Sequence, residues 1–348
     1  MKIRKIYVAS PDGKDNGGGE SLHQLVDACN RLGYDAYIYY FDSNRSQVLE
    51  NMSIYHIKVA GKVEDNIENL LICPEMYTYP LKRFKHIRKG IWFLSLDYYL
   101  RSFPFYKTEF LLHKWHMPRL MWPIVLLAVL IKTDATFKSF DFKKDFVKYF
   151  LYNVEYAHQY IEGKCTYDHI SQYLCGPLND IYFMDDEKRE RTKERIVAYN
   201  PKKADAFIKK IEDAFSGIEP KIKFVPVKGM NQKEVKDLLS VASVYIDFGF
   251  FPGPERLPRE AAMMQCNIIT SNLGSASNEV DVPINPKYKF ALEDDKIAEI
   301  VELIRDMVEH YDSYVREFDS YREKVVNQKE CFVSNVRMFM KRIEEDEA

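Results

Sequence analysis

Three short stretches carry residue types and spacings suited to a phosphorylated, hydroxyl-rich ligand. The first is Gly17-Gly18-Gly19-Glu20, set between the apolar run IRKIYVAS and the segment SLHQLVDACNRL. Consecutive glycines let backbone N–H groups approach an anion, and a helix start adds the favourable end of its dipole. The run is neither Gly-x-Gly-x-x-Gly nor the Gly-Lys-Ser/Thr of a P-loop, and a flexible turn is its plainer use. The second is Ala198-Tyr199-Asn200-Pro201-Lys202-Lys203, after the strand-like ERIVAY. A lysine at the carboxyl end of a strand neutralises a diphosphate without metal; a single lysine there is more often only solvated. The third is Gly253-Pro254-Glu255-Arg256-Leu257-Pro258-Arg259-Glu260-Ala261-Ala262, followed by Asn267-Ile268-Ile269-Thr270-Ser271-Asn272. A carboxylate at a helix start is commonly a cap, yet Glu255 or Glu260 there can also accept two hydroxyl hydrogen bonds from a ribose or a sugar.

A fourth candidate is Asp97, at the end of the strand-like GIWFLSL. There it either caps the next turn or orients and deprotonates an acceptor hydroxyl. His23 and His158 read as structural. His113 and His116 share a helix face but lack a third ligand, so no metal site is expected. The six Cys (29, 73, 165, 175, 266, 331) form no Cys-x-x-Cys pair. They read as buried small apolar residues in a reducing cytoplasm, not as a disulfide or zinc framework.

The elements that must position these residues alternate along the chain. In the first half, strand, glycine turn, helix (apolar at Leu22, Leu25, Val26, Cys29 and Leu32) and strand DAYIYYF make a βαβ unit. SIYHIKVA, NLLICP and GIWFLSL read as further strands. After the charged run DDEKRERTKER (185–195) the alternation resumes: ERIVAYNP, ADAFIKKIEDAF, KIKFVPV, QKEVKDLLSVA, SVYIDFGF, ERLPREAAMMQ and NIITSNL. Strands and helices in strict alternation build doubly wound parallel sheets. The expected domains are 1–185, 186–325 and a C-terminal helix over 326–348 that returns to the first domain; the stretch 296–345 reads as helical throughout.

A length of 348 residues suits two domains of about 100–200 residues each. With 46% apolar and 29% charged residues, a disordered chain and a multispanning membrane protein are both excluded. The net charge of -2 argues against a globally basic nucleic-acid binder. That average conceals an asymmetry. From Lys82 to Arg119 nine Lys/Arg face two acids, so this stretch is +7 and the remainder -9. Trp92, Trp115 and Trp122 lie in or just beyond it. The twelve-residue apolar run 120–131 is shorter than the roughly 20 residues a span needs. It fits either a core helix or strand pair, or a membrane-surface segment over 100–132 in which Arg101, Lys107, Lys114 and Arg119 meet anionic headgroups. The N-terminus shows no apolar secretion segment, so a cytoplasmic protein, peripheral on the inner membrane, is expected.

Residues 245–285 resemble the donor-site segment of retaining family-4 glycosyltransferases of the two-Rossmann, GT-B type, with its Glu-x7-Glu, Ala and apolar strand ending in Thr. Glu260 and Ala261 fall on the second Glu and the Ala, Ile268-Ile269-Thr270 on the strand, and Gly274 and Glu279 on the next turn. Gly17-Gly18-Gly19 resembles the glycine loop of the N-domain, and Lys202-Lys203 the phosphate-binding lysine. WFLSLDYY and YLCGPLND resemble bacterial surface-polysaccharide or lipopolysaccharide enzymes of this kind. Pro252 stands in place of the first Glu, with Glu255 three residues on, and Gln265 stands where glycine is usual. The resemblance implies two Rossmann-like domains facing a cleft and transfer of a sugar from a nucleotide sugar to a lipid-linked or polysaccharide acceptor, with no cofactor and no metal. Asp97 and Glu255 would be catalytic; Gly17, Gly18, Gly19, Asn200, Lys202, Lys203 and Glu260 would bind the nucleotide sugar. A nucleotide-sugar epimerase of the same fold and a catalytically silent membrane-associated relative are the rival readings.

Overall fold

Apolar runs that do not alternate with polar residues, such as NLLICP and ASVYID, belong in parallel sheets covered on both faces. Both lie fully buried in the computed structural model, which describes residues 2–13, 17–55, 57–115, 117–132, 140–143, 145–183, 192–217 and 220–346. The chain divides into two units, Met1–Gly176 with Cys331–Ala348, and Pro177–Glu330. Of the charged run 185–195, residues 185–191 lie outside the described residues.

The first unit runs β1 (Lys5–Ser10), α1 (Gly17–Arg31), β2 (Ala36–Tyr40), β3 (Lys58–Val59), β4 (Asn69–Pro74), β5 (Arg88–Phe93), α2 (Leu96–Arg101), α3 (Pro104–Lys114), α4 (Trp122–Lys132), β6 (Tyr149–Tyr152), α5 (Glu155–Lys164) and β7 (Ile170–Tyr173). All seven strands are parallel, in the order β3-β2-β1-β4-β5-β6-β7. Strand order reverses between β1 and β4, which opens a crevice at their carboxyl ends. Ile6, Val8, Ile38, Leu70 and Ile72 face α1, while Tyr7, Ala9, Leu71, Cys73 and Phe93 pack on the opposite side. Gly33, at φ 86°, supplies the left-handed residue that ends α1.

The second unit runs β8 (Glu194–Tyr199), α6 (Asp205–Ala214), β9 (Lys223–Pro226), α7 (Gln232–Val241), β10 (Ala242–Asp247), α8 (Arg256–Met263), β11 (Asn267–Ser271), β12 (Lys289–Phe290), α9 (Ile297–Glu309), α10 (Tyr311–Tyr314) and α11 (Asp319–Glu330). Its five parallel strands are ordered β12-β11-β10-β8-β9. Here the reversal falls between β8 and β10, so the turns leaving those two strands must meet. α12 (Phe332–Asp346) belongs to the first unit, where Phe332, Val336, Phe339, Met340 and Ile343 complete the core over α1.

Several details differ from the sequence reading. The run SIYHIKVA contributes only two strand residues, because β3 is an edge strand whose few pairs are with β2. β6, α5 and β7 escape that reading: YFLY and ISQY are four residues each, too short to show a period. The stretch after residue 296, expected to be helical throughout, divides into α9, α10, α11 and α12. Trp92 is buried in β5, and Arg88 is buried too, donating from Nε to Ile67 O, so the basic stretch is not wholly a surface. The apolar run 120–131 lies in neither sheet core. It forms α4, which packs on α3 through a small cluster of Leu112, Val125 and Val129. Among the cysteines Cys331 is exposed and Cys165 half-buried, unlike the four buried ones.

Candidate functional site

The meeting of the β8 and β10 turns creates a polar cluster. Leaving β8, Asn200 is buried; its Oδ1 accepts from the Lys202 N–H at 3.1 Å, forming an Asx turn. Ala204 then takes a left-handed conformation (φ 50°, ψ 33°) before α6 begins. An alanine there is strained, and such strain persists only where the surroundings fix it. The turn carries the Lys203 side chain toward β10.

Leaving β10, Asp247 is fully buried and accepts three hydrogen bonds: from Asn200 Nδ2 at 3.3 Å, the Tyr245 hydroxyl at 3.2 Å and the Gly249 N–H at 3.1 Å. It thereby ties the two turns together. Gly249 is required by a close approach: a Cβ at this position would lie 2.4 Å from Lys203 Cβ and 2.0 Å from its Cδ. Lys203 crosses over Gly249, its Nζ 4.7 Å from the Phe251 ring centroid, and donates to Glu255 Oε2 at 2.7 Å. Glu255 is the N-cap residue of α8. Burial pushes its carboxyl above the ordinary carboxylate range, opposed by Lys203. Gly274 (φ 65°) passes so close to the 251 backbone that a Cβ would meet Phe251 O at 2.2 Å.

Glu260 lies one turn into α8 and is buried, accepting from Arg256 Nε at 3.3 Å and from the Tyr182 hydroxyl. Desolvation raises its pKa, with Arg256 and Arg259 pulling the other way. Arg259, also buried, donates to the Glu255 carbonyl and to Gln328. The second unit thus brings together Asn200, Lys203 and Glu255. Lys202 is exposed on the same turn. Asp247 and Gly249 went unread in the sequence, although an Asp closing the apolar run Val244-Tyr245-Ile246 two residues before a Gly was a usable signal.

In the first unit, Gly17, Gly18 and Gly19 form the first turn of α1 instead of a loop. Their position at the carboxyl end of β1, beside the reversal in strand order, still aims a helix N-terminus at the crevice. His23 is structural: its Nδ1 donates to Gly19 O at 2.7 Å and its Nε2 accepts from the Tyr40 hydroxyl at 2.8 Å. Burial lowers its pKa, which keeps the ring neutral as that pairing requires.

Asp97 is not the last residue of a strand. β5 ends at Phe93, Ser95 caps α2, and Asp97 sits in the first turn of that helix, paired with Arg101. Burial raises its pKa, against the attraction of Arg101. Directly after β4 comes Glu75. It is buried, accepts the Leu94 N–H at 2.9 Å and the Ser95 N–H, and is pushed up to about 8 by desolvation. Glu75 therefore holds the turn that launches Asp97. Among the described residues no cluster of His, Cys, Asp and Glu could hold a metal ion, and no helix is long and apolar enough to cross a membrane.

No protein-family model matches the chain, and no curated protein does. Solved structures do. Sucrose-phosphate synthase from Thermosynechococcus elongatus superposes with a TM-score of 0.60 at 10% identity, over 99% of this chain and 100% of that one. HepE from Anabaena, in complex with UDP-glucose, gives 0.56 at 10% identity, over 98% and 99%. BGT of phage T4, in complex with its UDP-glucose substrate, gives 0.50 at 11% identity, over 99% of both chains. At these identities the likeness is one of fold: two parallel α/β sheets in one chain, as in GT-B glycosyltransferases.

Proposed function

We propose that this protein is a glycosyltransferase that moves a sugar from a nucleotide-sugar donor to a lipid-linked or polysaccharide acceptor. The observation that carries the reading is the Lys203–Glu255 pair, 2.7 Å apart where the second sheet reverses its strand order. Ligands of open α/β sheets bind at such points, and an ammonium beside a helix N-terminus suits a diphosphate. The relatives of like fold named above include proteins bound to UDP-glucose, which fits that ligand class.

In this reading Lys203, with Lys202, holds the diphosphate, and Asn200 keeps the turn in shape. Glu260 takes the ribose, its buried carboxylate, held by Arg256 and Tyr182, accepting from the ribose hydroxyls. Glu255, released by Lys203 when the diphosphate arrives, turns to the sugar hydroxyls. The acceptor oxygen bonds to the anomeric carbon as the bond from that carbon to the diphosphate breaks. The leaving oxygen takes the electron pair and, with the acceptor attacking the face that the diphosphate leaves, the acceptor proton as well. Charge growing on the diphosphate is met by the lysines, so the chemistry does not call for a divalent metal. Retention at the anomeric carbon rests on the resemblance of the 245–285 segment.

The test is incubation with UDP-, GDP- and CMP-sugars, with and without a lipid extract. Release of nucleoside diphosphate together with a glycosylated lipid or glycan supports the transferase. A converted nucleotide sugar without transfer would make it an epimerase, and absence of binding to every nucleotide would make it a silent relative.

A further inference from the structure

We propose that the α3–α4 hairpin is a monotopic anchor that seats its outer face in the headgroup region of an anionic phospholipid bilayer. α4 presents Ile124, Leu127 and Ile131, with Leu120 just before it, at intervals of three and four residues; they are 61%, 60%, 75% and 89% exposed. That spacing is one helical stripe, the stripe a water-facing helix fills with polar side chains. Its other side is already satisfied, because Val125 and Val129 pack on Leu112 of α3. The hairpin thus has an inner cluster of its own and an outer face of contiguous aliphatic surface, where single exposed apolar residues would need no explanation.

Length fixes the mode of contact. Eleven residues at about 1.5 Å each make α4 roughly 16 Å long, about half the hydrocarbon thickness. The helix lies in the interface and does not cross. The rim fits the same partner. Trp115 is 57% exposed at the end of α3, and Phe105 and Tyr106 are exposed at its start. Amphipathic rings of this kind settle at the headgroup level. Across residues 104–132 four Lys/Arg (107, 114, 119 and 132) face one acid, Glu109. Lys114, at the end of α3, and Arg119, just before α4, are both exposed, and each basic residue near an anionic leaflet adds attraction. A second copy of this chain is the poorer occupant: a two-fold contact through this face would set these cations against their own copies.

The inference does not depend on the proposed chemistry, since it is read on the full chain without nucleotide sugar. Sedimentation with phosphatidylglycerol vesicles should pull the protein down, with a blue shift of the Trp115 emission that is lost in Trp115→Phe. Ile124→Ser/Leu127→Ser/Ile131→Ser should weaken the association constant at least tenfold. These side chains are exposed, and an unchanged circular dichroism spectrum and melting temperature confirm an intact fold. Lys107→Ser/Lys114→Ser/Arg119→Ser should weaken binding to phosphatidylglycerol, and raised salt should do the same. Absence of binding to phosphatidylglycerol, equal binding to pure phosphatidylcholine, or a dimer in sedimentation equilibrium that the triple serine variant dissolves would each overturn the proposal.

Discussion

Lys203 Nζ lies 2.7 Å from Glu255 Oε2, so the cation at the end of β8 is neutralised by the carboxylate that starts α8. A diphosphate arriving there competes with Glu255 for the same ammonium. Three substitutions test this. Lys203→Ala should weaken binding of a nucleoside diphosphate about tenfold to a hundredfold, the equivalent of one charge-assisted hydrogen bond of about 1.5–3 kcal/mol. Lys202→Ala, on the exposed neighbour, should weaken it too, but by less than Lys203→Ala. Glu255→Gln should tighten the free diphosphate, because Lys203 loses its internal partner, while transfer from the nucleotide sugar slows. Calorimetric titration and turnover on the same samples check this; equal affinities in wild type and Lys203→Ala would place the anion elsewhere.

Gly249 is the floor on which Lys203 rests. In Gly249→Ala the new methyl would fall 2.4 Å from Lys203 Cβ, near the root of the side chain, where rotamer change gives little relief. The turn must shift, taking the ammonium with it, so diphosphate affinity should fall at least as far as in Lys203→Ala. A thermal melt close to wild type would show that the shift is local. Affinity as in wild type would mean that the position of Lys203 is not what binding uses.

The parts legible in the sequence were those with a strong period or a sharp punctuation. α1 was readable from Leu22, Leu25, Val26 and Cys29, and the β8 to β11 alternation from apolar runs bounded by Asn, Pro and Gly. Lys203 and Glu255 were nameable because each closes such a run. Their pairing was not: it depends on β10 lying beside β8 and not beyond β9, which no local spacing encodes. β6 and β7, at four residues each, carry too little pattern to stand out. Glu75 was hidden for another reason, since a carboxylate after a strand looks like a solvated turn until the next strand folds over it. The aliphatic run 120–131 was visible, but whether it faced a core was a tertiary question.

Gln265 occupies a left-handed position (φ 61°) just past the end of α8, where the turn into β11 bonds Cys266 N to Ala261 O. Glycine adopts that conformation without the Cβ penalty of about 1–2 kcal/mol, though it costs part of this back in unfolded-chain entropy. The Tyr311 hydroxyl bonds to the carbonyl of residue 265, which substitution leaves in place. Gln265→Gly should therefore stabilise the protein by roughly 0.5–1 kcal/mol in denaturant unfolding, with the midpoint raised and the slope unchanged. A lowered midpoint would show that the glutamine side chain contributes more than the strain it imposes.

Glu75 makes the first unit sensitive to pH in a direction opposite to that of a salt-bridged carboxylate. Its folded pKa is pushed up to about 8 by burial, against the ordinary 4.5. The folded state therefore binds a proton that the unfolded state releases, and stability from this group is complete below about pH 4.5 and lost as pH rises through about 8. Glu75→Gln keeps the shape and an oxygen for the Leu94 and Ser95 amides but cannot ionise. The two melting curves should run close together at pH 5 and separate toward pH 9, with the variant more stable at the alkaline end. Taking the difference between the two proteins removes every other titrating group, Lys289 among them, whose pKa burial lowers to about 8. Parallel profiles from pH 5 to 9 would show that Glu75 is ionised in the folded protein throughout. In that case the Leu94 and Ser95 amides, and not a proton, would be what stabilises its burial under the turn that carries Asp97.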